Sequence, residues 1–148
     1  MSVLPDFQEG GTVWNDRTYT FTTVPSYFQG AYHFQGPVRV PDGTVLTFTL
    51  PASGTLYALL AVNRDGGYKS ALLSGGWSEM DEPVMWGDGD DTFEVFSTAT
   101  ATDEVVTLAA ANGDDTVVAF AWNQDSEGGR PPLSLISTPL IRLVCVQT

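Results

Sequence analysis

The chain has 148 residues, of which 43% are hydrophobic and 16% charged, so it has the usual size of one domain and enough apolar side chains for a core. Its 18 acidic and 6 basic residues give a formal net charge of −12, which repels phosphate backbones and anionic headgroups. Nucleic acid and membranes are therefore not expected as partners. A single cysteine excludes an intrachain disulfide and a cysteine-rich metal site.

The first half of the chain shows the alternation that is typical of strands. Residues 18–23 alternate aromatic side chains with threonines and end at a Val-Pro pair, where proline removes a ladder donor. Residues 44–50 place Leu46, Phe48 and Leu50 on one face and smaller residues on the other. Both segments are predicted to be half-buried strands.

The second half continues this pattern. Residues 55–62 are apolar on both faces, which favours a central strand covered on each side, with a helical turn as the alternative. Further strands are predicted at residues 92–97, 104–110, 116–122 and 140–146. About eight to ten strands without intervening helices predict an all-β fold over residues 1–148, a single antiparallel β-sandwich domain of jelly-roll type.

Catalytic signals are weak. His33 is the only histidine and lies in a short strand-like run, where a structural role is favoured over that of a base. No Gly-x-Ser-x-Gly motif is present, and nothing singles out one of the many carboxylates for acid catalysis. We therefore expect a protein that is not an enzyme, with a hydrolase using paired carboxylates as a lesser alternative.

One segment is rich in carboxylates and could bind calcium. Asp88, Asp90 and Asp91 follow several other acidic residues, and calcium prefers clustered carboxylate and carbonyl oxygens. The segment lacks the remaining spacing and the terminal glutamate of an EF-hand loop. Calcium is thus the one candidate cofactor, and a solvated acidic loop is the alternative.

Aromatic residues in or beside Gly-rich turns are the main candidates for ligand binding. Tyr68, Trp77 and Trp86 could stack on the apolar faces of sugar rings, although packing beneath a loop is the alternative for each. Arg64 and Asp65 could bind hydroxyl groups or could pair with each other. The predicted ligand-binding set is therefore Arg64, Asp65, Tyr68, Trp77 and Trp86.

The order of several short motifs carries a family resemblance. A strand with a Val-Pro turn and a Gly-Ala step spans Tyr19 to Tyr32, residues 46–50 and 55–59 form two further strands, and Arg64-Asp65 and Trp77 follow. This order resembles the β-sandwich accessory domains attached to secreted carbohydrate-active enzymes. The resemblance implies a non-catalytic jelly roll with a carbohydrate-related role.

Two functions follow from these observations. The leading hypothesis is a binding module that recognises a glycan or a protein surface through loop aromatics, and the alternative is a structural or assembly subunit of capsid, fibre or matrix type. Homo-oligomerisation is left open. The N-terminal residues have neither a basic start nor a long apolar run, so an extracellular location, although favoured, would require that a leader had been removed.

Overall fold

The computed structural model describes residues 2–87, 91–108, 111–113, 116–125 and 140–145, and for the last of these ranges it describes the backbone alone. The described strands are β1 (Ser2–Leu4), β2 (Phe21–Thr23), β3 (Tyr32–Gln35), β4 (Arg39–Val40), β5 (Thr44–Thr49), β6 (Gly54–Ala61), β7 (Ser78–Glu79), β8 (Val84–Trp86), β9 (Asp91–Thr100), β10 (Val105–Thr107), β11 (Thr116–Gln124) and β12 (Leu140–Cys145). A 3₁₀ turn spans Ser26–Phe28 and the helix α1 spans Tyr68–Ser74.

The strands form two antiparallel sheets. The larger sheet has the order β1-β3-β11-β6-β9-β8-β2, with β4 added beside β11 and β7 beside β9. The smaller sheet has the order β10-β5-β12. The chain leaves the larger sheet after β4, forms β5 in the smaller sheet and returns to the larger sheet at β6. It enters the smaller sheet again at β10 and returns to the larger sheet at β11. The predicted all-β, antiparallel sandwich is confirmed, while the single-domain organisation stays a prediction.

The core between the two sheets follows from the alternation seen in the sequence. In β5 every second side chain is buried, so Leu46 and Phe48 face the larger sheet. They pack in one cluster with Ala58 of β6 and Phe120 of β11, and α1 adds Leu72. The smaller sheet therefore covers one face of the larger one.

A second core lies on the opposite face of the larger sheet. Tyr57 and Leu59 of β6 and Ala119 of β11 pack there against Phe7 and Phe28, which come from the segments around β2. Strands β6 and β11 are consequently buried on both sides. This confirms the prediction of a central strand at residues 55–62, and β6 itself ends at Ala61.

Two local predictions are corrected by the structure. The strand expected at residues 18–23 is shorter, because β2 begins at Phe21 and its pairing with β8 shifts register between Phe21 and Thr23. The sequence patterns gave no helix, yet α1 forms after Asp65, whose carboxylate accepts the Lys69 backbone N–H at 2.9 Å. Within the described residues, no helix is long and apolar enough to cross a lipid bilayer.

Candidate functional site: an arginine-lined groove

Three of the predicted ligand-binding residues belong to α1 or bond to it, and none of them lines the two hollows described below. Tyr68 is only 1% exposed, and burial raises the pKa of its hydroxyl to about 12. Asp65 caps the helix through the Lys69 N–H. Trp77 is half-buried against the core between the sheets, and its backbone N–H donates to the Leu72 carbonyl at 3.0 Å. The burial of the Tyr68 ring agrees with the alternative of packing beneath a loop.

Trp86 is also more buried than expected, because it belongs to an aromatic cluster in the second core. Its ring lies 4.8 Å from that of Trp14 in an edge-on arrangement and stacks on Phe93 at 5.3 Å. Trp14 is 1% exposed and Trp86 is 8% exposed. Tyr19 completes the cluster at 5.5 Å from Trp86, and its side chain is 45% exposed. Tyr19 is thus the solvent-facing ring of this cluster.

Two adjoining hollows lie above this aromatic cluster and share Arg64, Trp86 and Asp91. One has a volume of about 540 Å³ and is also lined by Ala61, Val62, Asn63 and Thr92. The other has a volume of about 300 Å³ and is also lined by Arg17, Tyr19, Val38, Arg39 and Val117. We call these lining residues together the arginine groove.

Backbone pairing at Val117 places two of the groove arginines. Its N–H donates to the Arg64 carbonyl at 2.9 Å, while Arg39 of β4 lies opposite it in the antiparallel pairing with β11. Arg64 and Arg39 therefore lie on either side of one residue, although they are 25 positions apart in the sequence. Both side chains are exposed.

Asp16 fixes the third arginine and the start of β4. One carboxylate oxygen accepts the Val38 N–H at 2.9 Å, and the other lies 3.6 Å from the Arg17 guanidinium. The Arg17 guanidinium also donates to the Asp16 carbonyl at 2.8 Å. Because Val38 directly precedes Arg39, this carboxylate joins Arg17 to the strand that carries Arg39.

Of the predicted calcium ligands, Asp91 lies on the groove, is exposed and begins β9. Its carboxylate lies close to Gly87, whose φ of 71° is in the left-handed region that favours glycine. Asp88 and Asp90 lie outside the described residues. Among the residues that the structure describes, no three His, Cys, Asp or Glu side chains form a metal-binding group. Calcium binding therefore stays a prediction.

The groove combines the groups that a sugar site needs. An exposed aromatic ring can stack on the C–H face of a pyranose, while Arg64, Asn63 and Asp91 provide donors and an acceptor for hydroxyl groups. Asp91 is the single carboxylate among the described lining residues.

Sequence reasoning identified Arg64 and Trp86 but missed Arg17, Tyr19 and Arg39. The available signal was the scarcity of basic residues: with only 6 lysines and arginines in the chain, each one could have been considered as a candidate. Tyr19 was assigned to a regular strand, but β2 begins only at Phe21, so Tyr19 lies outside it.

Comparisons with known proteins give one informative match. No family model matches the chain, and no curated protein matches it. Among solved structures, the chain is similar to a β-glucuronidase from glycoside hydrolase family 2, with a TM-score of 0.67 over 84% of the chain. The shared feature is the fold. Sequence identity is 15%, and the match covers 13% of that enzyme's chain, so this chain spans a small part of its length.

This match supports the resemblance seen in the sequence at the level of architecture. The matched protein is by its description a carbohydrate-active enzyme, which is the class of protein whose accessory domains the motif order resembles. At 15% identity the likeness carries no ligand, activity or site residue to this chain. The function has to be argued from the arginine groove itself.

Proposed function

We propose that the chain is a non-catalytic carbohydrate-binding module whose site is the arginine groove. The observation that carries this proposal is the Tyr19 ring, which is 45% exposed and is held edge-on against Trp86 at 5.5 Å beside polar side chains. A ring that is fixed in place before binding loses little conformational entropy when it stacks on a sugar. Two residues of the predicted ligand-binding set, Arg64 and Trp86, line the groove.

The groove is open, so its affinity for a glycan should be modest. Shallow sites bury little ligand area, so their contacts offset only part of the entropy that is lost on association. The expected dissociation constant is therefore roughly in the micromolar to millimolar range. An array of oligosaccharides followed by isothermal titration calorimetry of the positive ligands is the appropriate measurement.

A pair of matched variants tests whether the Tyr19 ring forms the platform. Tyr19→Ala should weaken binding about fivefold, since an aromatic contact contributes about 1 kcal/mol. Tyr19→Phe should retain most of the affinity because it keeps the ring. Leu73→Ala is the control, since Leu73 is similarly exposed, at 47%, but lies on α1 outside the groove.

The outcomes separate this proposal from the assembly role. If no member of a broad glycan array binds, or if Tyr19→Ala and Leu73→Ala weaken binding equally, the groove is not a glycan site. A defined large oligomer in light scattering, combined with the absence of glycan binding, would favour a structural or assembly subunit instead.

A further inference from the structure

We propose that the ligand of the arginine groove is an oligosaccharide of at least two linked sugar units, with one unit on the Tyr19 ring and the next in the larger hollow. This inference rests on the proposed function and deepens it, because it adds a second subsite to the first. It is carried by the division of the groove into two adjoining hollows that differ in the side chains they offer.

The Tyr19 ring serves one of the two hollows. It lines the hollow of about 300 Å³ together with Val38 and Val117, and it is not among the described lining residues of the hollow of about 540 Å³. Sites for small-molecule ligands usually have volumes of about 300 to 1,000 Å³, so each hollow is large enough for a sugar unit. A single unit stacked on Tyr19 would therefore leave the larger hollow unfilled.

The two hollows are continuous, because they share part of their lining. Trp86 and Asp91 line both of them. The pairing of β8 with β9 brings these two residues together, since Trp86 lies directly opposite Asp91 in the register. A linear glycan that enters the smaller hollow can thus continue past this pair of residues into the larger one.

The larger hollow offers hydrogen-bonding groups in place of an exposed ring. Asn63 and Asp91 are exposed there, and Thr92 contributes a half-buried hydroxyl. This hydroxyl donates to the Met85 sulfur at 3.4 Å, so its oxygen can still accept a hydrogen bond. An amide, a carboxylate and a hydroxyl suit sugar hydroxyl groups, which both donate and accept. The second unit should therefore be held by hydrogen bonds, whereas the first is held by stacking.

A tight turn at the end of β6 sets the position of Asn63. The Arg64 N–H donates to the Ala61 carbonyl at 3.0 Å, and Asn63 takes a left-handed φ of 66° within this turn. Asparagine adopts this conformation more readily than most residues that have a side chain. The backbone that carries the Asn63 amide is therefore ordered before a ligand arrives, and it loses little conformational entropy on binding.

Oligosaccharides of increasing length test for the second subsite. Cello-, xylo-, manno- and galacto-oligosaccharides, together with any other series that the array identifies, are compared with their monosaccharides in calorimetry, or in ligand-observed NMR where binding is weak. We expect the disaccharide of at least one series to bind about tenfold more tightly than its monosaccharide, because the second unit adds hydrogen bonds. A disaccharide also offers two rings to a single subsite, so a gain of only twofold is statistical and would count against the inference.

Two substitutions by glycine then test the subsite itself. Asn63 and Asp103 are the two described residues other than glycine that have a positive φ, and glycine tolerates this conformation at both positions. Asn63→Gly removes the amide from the larger hollow, so it should weaken disaccharide binding about fivefold more than it weakens monosaccharide binding. Asp103→Gly is the matched control, because Asp103 lies between β9 and β10 and lines neither hollow. Tyr19→Ala should weaken both ligands by the same factor.

The outcomes separate the two proposals. Equal affinity for monosaccharides and disaccharides in every series would overturn the second subsite and leave the carbohydrate-binding module intact. Equal losses in Asn63→Gly and Asp103→Gly, or an Asn63→Gly loss that is as large for the monosaccharide, would also overturn it. No binding of any glycan would remove both proposals. Thermal unfolding checks the folding of each variant, and the length comparison on the unaltered chain does not depend on any variant.

Discussion

Lowering the pH from 7 to 4 should destabilise the fold through His33. This imidazole is 2% exposed and lies edge-on to two phenylalanine rings, Phe7 at 5.4 Å and Phe21 at 5.3 Å. It forms a hydrogen bond to the Val13 backbone, while its Nε2 has no hydrogen-bond partner among the described residues. The bond to Val13 is therefore made by Nδ1, and the ring is neutral at pH 7.

Burial sets the size of the effect. Desolvation lowers the pKa of His33 from 6.5 to about 4, and the bond to Val13 opposes this only in part. Between these two values the unfolded chain binds the proton and the folded chain does not, so the free energy of unfolding decreases as the pH falls. At 1.36 kcal/mol per pKa unit, the loss from His33 is about 3 kcal/mol between pH 7 and pH 4.

Urea unfolding at several pH values measures this contribution, and His33→Asn isolates it from the carboxylates, which also titrate in this range. The asparagine amide can still donate to the Val13 carbonyl near the position of Nδ1, but it does not ionise. The difference in unfolding free energy between the two proteins should change by about 3 kcal/mol from pH 7 to pH 4. A difference that stays constant with pH would refute the assignment of His33 as a buried neutral group.

Two further substitutions test the packing described above. Tyr68→Phe should raise the unfolding free energy by about 1 kcal/mol, because the Tyr68 hydroxyl is buried without a hydrogen-bond partner among the described residues; a clear loss of stability would contradict this. Gly54→Ala should lower it by about 2 kcal/mol or more, because the added Cβ would lie 2.8 Å from the Trp122 ring and against the Asn123 carbonyl. The neighbouring Ser53→Ala should change it by less than about 0.5 kcal/mol, and equal effects in the two variants would exclude a steric cause.

The parts of the fold that could be predicted are those that local patterns determine. The period-two alternation of β5 indicates a strand that is buried on one face. The continuous apolar run of β6 indicates a strand that is buried on both faces. The helix α1 could not be predicted because it has seven residues, and its stability comes from the Asp65 cap and from burial of Tyr68 and Leu72. The burial of Tyr68 and Leu72 depends on tertiary contacts that no short window of sequence contains.

The site was harder to predict than the fold for the same reason. Whether a turn aromatic faces solvent depends on what the sheet brings against it, and Trp86 meets Trp14 across 72 positions of sequence. Arg39 and Arg64 come together through Val117, which lies more than 50 positions after Arg64. The sequence could indicate which residue types form the groove, but it could not show that these residues lie next to one another in the fold.

The central position of β11 has a consequence for how the chain reaches its folded state. This strand pairs with β3 on one side and β6 on the other, and both of these strands precede it in the sequence. Until residues up to Gln124 have left the ribosome, β3 and β6 have unsatisfied edges that can pair with other chains. The larger sheet should therefore close only after β11 has been synthesised, and shortening the chain before β11 should yield aggregates rather than a smaller folded unit.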